Sequence, residues 1–174
     1  MKKIKIIFLT LIIAIISISC TAKIENIDFY LNPGNDSVQL NSTYIDPGVT
    51  AKAFGIKRST EVLENTVDTT KLGVYYIVYN FVYQDFDLKL TRIVTVVDET
   101  PPKLSLNPGI DTIKIGETWE DASIQILDNS EDEVQLEVLG EIDNTTIGTY
   151  VITYIVTDSS GNSSMIERYV NVIN

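Results

Sequence analysis

Apolar and polar side chains alternate along most of this chain. Ile27, Phe29 and Leu31 take every second position of one run, and Tyr150–Val156 shows the same period of two in a later one. A period of two is typical of strands with one buried face, whereas a helix repeats its apolar positions about every 3.6 residues. Turn-forming sequences such as Asp46–Gly48 separate the runs. The pattern therefore predicts an all-β protein built from short strands.

The N-terminal segment follows a different pattern. Lys2, Lys3 and Lys5 precede Ile6–Ile18, a run of 13 residues with nothing more polar than a threonine and a serine. As a helix this run would reach about 20 Å, whereas a membrane span must cross a hydrocarbon core of about 30 Å. A basic start followed by a short apolar run is typical of a cleaved secretion signal. An uncleaved membrane anchor is the alternative.

The only cysteine of the chain, Cys20, comes at the end of this apolar segment. The segment Ile16–Cys20 resembles the lipobox of bacterial lipoproteins, with Ser17 at a position where that motif usually has an aliphatic residue. The resemblance implies a signal peptide over residues 1–19, a diacylated Cys20 and a short tether over residues 20–22. Two acyl chains are enough for stable membrane attachment. Cleavage by an ordinary signal peptidase is the alternative, and it would release a secreted protein with a free thiol.

The rest of the chain contains one motif twice. Leu31–Gly34 recurs 75 positions later as Leu106–Gly109, and the same offset continues without a gap until it pairs Tyr79 with Tyr154. In the last hairpin of each copy the offset becomes 76. Because several short strands with one apolar face each must bury those faces against a second sheet, each copy is predicted to be a Greek-key β-sandwich. The predicted domains span residues 23–98 and 99–174.

Three stretches of each copy carry a recognisable family pattern. They are Tyr44–Ala51, Val67–Tyr79 and Arg92–Asp98 in the first copy, and Ile142–Tyr154, Thr157–Asn162 and Arg168–Val172 in the second. These stretches resemble the bacterial Ig-like domain named after a pesticidal crystal protein, which is related to hyalin-repeat modules. The resemblance implies Ig-like sandwiches that serve as repeats in surface and secreted bacterial proteins and have no activity of their own.

Composition narrows the possible functions. The chain has a net charge of −11, so its surface repels the phosphate backbone of nucleic acids. It contains no histidine and a single cysteine, which excludes Ser–His and Cys–His nucleophiles, His-bearing zinc sites and an internal disulfide. We therefore predict a protein that is not an enzyme, needs no cofactor and binds no nucleic acid.

Five aromatic residues are candidates for a binding surface or for the core. Tyr83 and Phe86 lie in a hairpin turn, where they form either an exposed interface or a turn folded back onto its own hairpin. Tyr76 belongs to an outward strand face that is unusually apolar, and it is a third interface candidate. Tyr44 and Trp119 occupy the same position of the repeat, which favours core packing over stacking on a carbohydrate.

Four further residues are calcium candidates. Asp98 and Glu99 lie between the two copies, Asp158 and Asn162 lie in a later turn, and all four offer the hard oxygen ligands that Ca²⁺ takes. An extended, solvated linker stiffened by the two prolines that follow is the simpler interpretation, so no metal site is predicted. Asp128 and the acidic run after it are likewise expected to form a solvated loop.

Taken together, these patterns predict a non-enzymatic, lipid-anchored protein of the bacterial cell envelope, exposed outside the cytoplasm. Its two Ig-like domains are expected to bind an unidentified surface protein or glycan. Two alternatives stay open: a structural spacer or accessory subunit of an envelope assembly, and a secreted Ig-like binding factor.

Replacement of the one cysteine tests the lipid anchor. We expect the native protein to begin at Cys20, to carry the mass of a diacylglycerol group and to partition into detergent, because two acyl chains hold it in a membrane. Cys20→Ser removes the acylated thiol and should abolish both properties. Intact mass and detergent partitioning measure the outcome, and an unmodified chain in the medium would contradict the prediction.

Overall fold

The computed structural model describes residues 23–130 and 132–174. Within them nearly all regular structure is β, which confirms the predicted all-β class; a 3-10 turn at Ile24–Asn26 precedes the first strand. The predicted signal peptide and Cys20 lie outside the described residues. In those two ranges, no helix is long and apolar enough to cross a membrane.

Seven strands come from the first part of the chain. They are β1 (Ile27–Leu31), β2 (Ser37–Gln39), β3 (Val49–Ala53), β4 (Ile56–Lys57), β5 (Glu61–Asn65), β6 (Gly73–Tyr83) and β7 (Phe86–Val97). One sheet has the order β1-β3-β4 and the other the order β2-β7-β6-β5. β2 runs parallel to β7, with Val38 opposite Val96.

Six strands come from the second part. They are β8 (Lys103–Leu106), β9 (Thr112–Lys114), β10 (Ile124–Leu127), β11 (Gln135–Leu139), β12 (Gly148–Thr157) and β13 (Ser163–Ile173). Their sheets have the orders β10-β8 and β11-β12-β13-β9. β9 runs parallel to β13, with Ile113 opposite Val172. These positions correspond to Val38 and Val96 in the repeat, so both parts share the predicted Ig-like strand arrangement. β4 of the first part has no counterpart among the described residues of the second.

The chain folds as two compact units whose boundaries do not follow the repeat residue by residue. Among the described residues, the first unit comprises 23–36, Tyr44–Val67 and Val74–Val94, and the second comprises Ser37–Thr43, Asp68–Gly73 and the described part of Thr95–Asn174. The short strand β2 and the end of β7 therefore belong to the second unit, although the repeat assigns them to the first copy.

Each unit has its own apolar core. In the first, Ala51, Ala53 and Phe81 are buried, and the Phe29 ring lies 5.5 Å from that of Phe81. In the second, the buried cluster consists of Ile124, Ile152, Tyr154 and Val156, and Trp119 is among the half-buried side chains packed against it. Burying these inward faces is the main contribution to the stability of both units.

Each four-stranded sheet has one outermost strand, β5 or β11, that is exposed along its whole length. An edge strand leaves one row of backbone groups without a sheet partner. β5 carries Glu61 and Glu64, and its register shifts between Val62 and Glu64. β11 carries Glu137 at its centre.

A buried arginine fastens two loops of the first unit. The side chain of Arg92, on β7, is 1% exposed, and its Nη1 lies 2.6 Å from Asp36 Oδ1. Nη2 donates to the carbonyl oxygens of Asn32 at 2.7 Å and Gly48 at 3.0 Å. Asp46 completes the cluster, because its Oδ1 lies 3.4 Å from Nε and accepts a hydrogen bond of 2.6 Å from the Tyr79 hydroxyl.

Arg168, on β13, repeats this arrangement in the second unit. Its Nη1 lies 2.7 Å from Asp111 Oδ1, and its Nη2 donates to the carbonyl oxygens of Asn107 at 2.7 Å and Ser123 at 3.1 Å. The planar guanidinium group matches this set of acceptors, whereas a lysine ammonium group would not. A charged group buried to this extent needs such partners, since an unpaired charge in the interior is strongly destabilising.

Replacing Arg168 by methionine tests how much its hydrogen bonds and ion pair contribute to stability. We expect Arg168→Met to lower the free energy of unfolding of the second unit by about 3 kcal/mol or more, because Asp111 and two carbonyl groups lose their donor. Urea unfolding followed by the fluorescence of Trp119, the only tryptophan, measures the change. Lys114→Met removes an exposed positive charge from β9 and should stay within about 0.5 kcal/mol of the parent. Equal unfolding midpoints for both variants would contradict the prediction.

The Tyr79 hydroxyl makes stability sensitive to alkaline pH. Burial, followed by the hydrogen bond to Asp46, raises the pKa of Tyr79 from 10.0 to about 12. The unfolded chain therefore loses this proton first, and stability falls as pH rises from 10 to about 12, by on the order of 2 kcal/mol. In Tyr79→Phe, this part of the fall in stability at alkaline pH should be absent. Tyr30→Phe changes an exposed tyrosine and should still show it. Urea midpoints followed by circular dichroism at pH 9 to about 12 measure the difference, and parallel curves for the two variants would refute it.

Candidate functional site

Three strands that contribute to the second unit are each followed directly by an aspartate. Asp98 comes after β7, Asp128 after β10 and Asp158 after β12. Each offers one carboxylate oxygen, and these oxygens lie within 4.8 Å of one another. Asp98 is 7% exposed and Asp158 is 5% exposed, while Asp128 is half-buried. We call these three residues the carboxylate cluster.

Asp98 is held by hydrogen bonds to one of its two carboxylate oxygens. Its Oδ1 accepts from Gln39 Nε2 at 2.9 Å, from Asn129 Nδ2 at 2.9 Å and from the backbone N–H of Thr100 at 3.0 Å. Its Oδ2 is buried and has no hydrogen-bond donor. The bonds to Oδ1 therefore fix the carboxylate and leave a charged, desolvated oxygen unpartnered.

The turn after β10 presents two more oxygens of this kind. Asp128 Oδ1 accepts from the Ser130 backbone N–H at 2.9 Å and from the Ser130 hydroxyl at 2.7 Å, which closes an Asx turn. Asp128 Oδ2 is buried without a donor, and so is the side-chain Oδ1 of Asn129. Because Asn129 donates its Nδ2 to Asp98, the loop is bound to the cluster while Asp128 Oδ2 and Asn129 Oδ1 stay unpartnered.

Asp158 is oriented by the turn that it begins. Its Oδ1 accepts from the backbone N–H of Asn162 and its Oδ2 from Asn162 Nδ2, both at 2.8 Å. Asn162 Nδ2 also donates to the carbonyl oxygen of Asp98 at 3.1 Å. Gly161 has φ +91°, a conformation that side chains rarely adopt, and it allows the chain to close this tight turn.

The structure shows which of the four calcium candidates lie at the carboxylate cluster. Asp98 and Asp158 lie in the carboxylate cluster, and Asn162 supports both by donating hydrogen bonds. Glu99 is exposed and does not belong to the cluster, although its backbone N–H donates to Gln39. The expectation of a solvated loop at Asp128 is wrong, because that carboxylate is half-buried within the cluster.

The structure distinguishes the two alternatives for the hairpin aromatics. Tyr83 is half-buried because its ring stacks on Phe81 at 6.3 Å, and the guanidinium carbon of Arg58 lies 5.2 Å from the centre of the Tyr83 ring. Phe86 is also half-buried. Both rings are partly covered, as expected for the turn folded back onto its own hairpin. A role of these two residues in an interface stays a prediction.

Tyr76 is exposed on the outward face of β6. It is 41% exposed, and its hydroxyl donates to Glu64 Oε1 at 3.1 Å. This hydrogen bond is the main cause that raises the pKa of Tyr76, because it favours the neutral phenol. Ile93, an outward residue of the adjacent strand β7, is 61% exposed.

A tyrosine occupies the corresponding face of the second unit. Tyr169, on β13, is 55% exposed and lies opposite Val151 of β12, which is 37% exposed. The Tyr169 hydroxyl donates to Glu167 Oε2 at 2.5 Å, and this bond raises its pKa as the bond to Glu64 does for Tyr76. Val151 corresponds to Tyr76 in the repeat, and Tyr169 corresponds to Ile93. Each unit thus presents one tyrosine and one aliphatic side chain at the same two outward positions, and we call each a tyrosine pair.

Trp119 lines a cleft of about 480 Å³ in the second unit together with Ile110 and Glu117. Its indole Nε1 donates to the carbonyl oxygen of Ile110 at 2.9 Å, and its ring packs against the core. Tyr44, its counterpart in the repeat, is also half-buried. Core packing therefore accounts for the indole, and carbohydrate stacking stays a hypothesis.

Comparison with known proteins finds a family model that matches part of the chain. Residues 110–172 match the model of a family described as a bacterial surface protein, Ig-like domain. A lipoprotein from Bacteroides thetaiotaomicron, known from its crystal structure, is similar over 81% of this chain and 98% of its own, with 18% identity and a TM-score of 0.37. No curated protein matches the chain. Residues 110–172 are therefore similar to an Ig-like domain of bacterial surface proteins.

Proposed function

We propose that this chain is a non-enzymatic, lipid-anchored protein of the bacterial cell surface that binds a protein or glycan through its Ig-like domains. The observation that carries the proposal is the tyrosine pair, which recurs on the outward sheet face of both units. The family match over residues 110–172 supports the location at the surface, and the lipobox-like segment around Cys20 supports the anchor.

The tyrosine pairs have the chemistry of a binding surface. Outward strand positions of a solvated sheet are usually polar, whereas the four side chains of the two pairs are aromatic or aliphatic and between 37% and 61% exposed. Val74, on the same face of β6 as Tyr76, is 69% exposed and extends this apolar surface. Tyrosine is enriched at interfaces because its ring offers a large apolar area and its hydroxyl a polar group. The same ring suits packing against a protein side chain and stacking on a sugar.

A glutamate restricts the side chain of each of the two tyrosines before a ligand binds. Glu64 and Glu167 each accept a hydrogen bond from one tyrosine hydroxyl. A side chain already restricted in the free protein loses less conformational entropy when a ligand covers it. Such restriction favours affinity without adding a contact.

Replacing both tyrosines tests the proposal. The chain from residue 20 onward, with Cys20→Ser, is screened against a glycan array and against purified envelope proteins, and the affinity for each ligand found is measured. Tyr76→Ser combined with Tyr169→Ser should weaken binding about tenfold or more, the effect of losing interface anchors. Because both side chains are exposed, the melting temperature should change little.

Two further variants serve as controls. Tyr30→Ser removes a tyrosine that is 48% exposed on β1, and it should bind like the parent. Tyr83→Ser with Phe86→Ser tests the hairpin, with unfolding measured alongside because these rings are half-buried. Undiminished binding by the Tyr76 and Tyr169 variant would refute the tyrosine pairs as the interface. A parent that binds nothing, yet is purified from its host with one fixed protein partner, would favour the accessory-subunit alternative.

A further inference from the structure

The carboxylate cluster concentrates negative charge in the second unit. The ion pairs of Lys23, Arg92 and Arg168 are all with carboxylates outside this cluster. Residues 99–174 contain only three basic residues against 14 acidic ones, so the surroundings add to the repulsion. Buried charges are normally paired with an opposite charge or coordinate a metal, because removing a carboxylate from water is costly.

The unpartnered oxygens are a second and separate observation. Asp98 is more than nine-tenths buried, and its Oδ2 has neither a donor nor contact with water. Asp128 Oδ2 and Asn129 Oδ1 are in the same condition. Buried polar atoms are almost always satisfied in proteins, so three unpartnered oxygens on residues of one site indicate a missing partner. That partner must accept lone pairs, since every one of the three atoms is an acceptor.

We propose that Asp98, Asp128, Asp158 and Asn129 bind one calcium ion in the second unit. Ca²⁺ takes carboxylate and amide oxygens at about 2.3–2.6 Å, so two of its ligands can lie up to about 5 Å apart. The carboxylate oxygens, within 4.8 Å of one another, fit around one such ion. The ion supplies positive charge to the three carboxylates and a partner for the unpartnered oxygens.

Neighbouring side chains act as positioning residues. Gln39 and the backbone of Thr100 bind Asp98 through Oδ1 and leave Oδ2 for the ion. Asn162 holds both oxygens of Asp158, each of which keeps a further lone pair. Donors that orient ligating carboxylates in this way are typical of metal sites.

The ligand set favours calcium over magnesium. Mg²⁺ requires a near-ideal octahedron at about 2.0–2.1 Å and usually keeps several waters, whereas Ca²⁺ accepts more ligands in irregular geometry. Here three carboxylates and an amide come from loops of different shape. Such a site is irregular rather than octahedral, so it suits Ca²⁺ better than Mg²⁺.

Calcium titration tests the site. The chain from residue 20 onward, with Cys20→Ser, is treated with a chelator, dialysed and titrated with CaCl₂ at constant ionic strength, by calorimetry and by thermal unfolding. We expect one saturable site with a Kd on the order of 10⁻⁴ M, as in extracellular calcium modules, and a melting temperature that rises with calcium. Hydrogen exchange should slow at residues 98–100, 128–130 and 158–162, which requires no variant.

Asp128→Asn gives two effects of opposite sign. It removes one like charge with little change of shape, so the melting temperature in chelator should rise, while the affinity for calcium should fall about tenfold or more. A residue that only supported the fold would not give this combination. Glu133→Gln removes the same charge from an exposed position near the loop, and its calcium affinity should match that of the parent.

Three results would overturn the proposal. The first is a parent without saturable calcium binding up to about 10 mM. The second is an Asp128→Asn variant that binds calcium as tightly as the parent. The third is an equal rise in melting temperature with MgCl₂ and with CaCl₂ at matched ionic strength, which would indicate general screening of surface charge.

Discussion

The buried guanidinium group is the interaction on which each sandwich depends. Arg92 lies on β7 of the four-stranded sheet and donates to carbonyl oxygens at Asn32 and Gly48, which flank the pairing of β1 with β3. One side chain thus connects the two sheets at a place where apolar packing alone would leave those carbonyl groups unsatisfied. Arg168 makes the same connection in the other copy. Asp36 next to Arg92, and Asp111 next to Arg168, then neutralise the buried charge.

The strand pattern, the repeat and the fold class follow from the order of residues, because a period of two and turn-forming sequences are local signals. The buried arginine was not predicted, although the sequence contains a signal for it. Arg92 stands in step with Val94 and Val96, which both face inward, and the same register recurs around Arg168. A charged residue at an inward position in both copies indicates a paired interior charge, but identifying its partners requires the loops in three dimensions.

The candidate sites show the same division between local and tertiary information. Asp98 and Asp158 could be selected from their places between the two copies and in a turn, whereas Asp128 was assigned to a solvated loop. Nothing along the chain shows that three strand ends about 30 residues apart meet. The exposure of Tyr76 follows from its place in the alternation of β6. The contact of Tyr83 with Arg58 could not be predicted in this way, because Arg58 lies far from it in sequence.

The edge strands affect how this protein behaves among copies of itself. β5 and β11 are open to pairing with another chain, and both carry apolar residues that would support it. Their glutamates oppose that outcome, because a second copy laid along the same edge brings like charges together in place of cross-strand partners. The register shift in β5 also interrupts the ladder that a regular added strand would need. Copies of this protein crowded on a surface can therefore stay separate although the edges of their sheets are exposed.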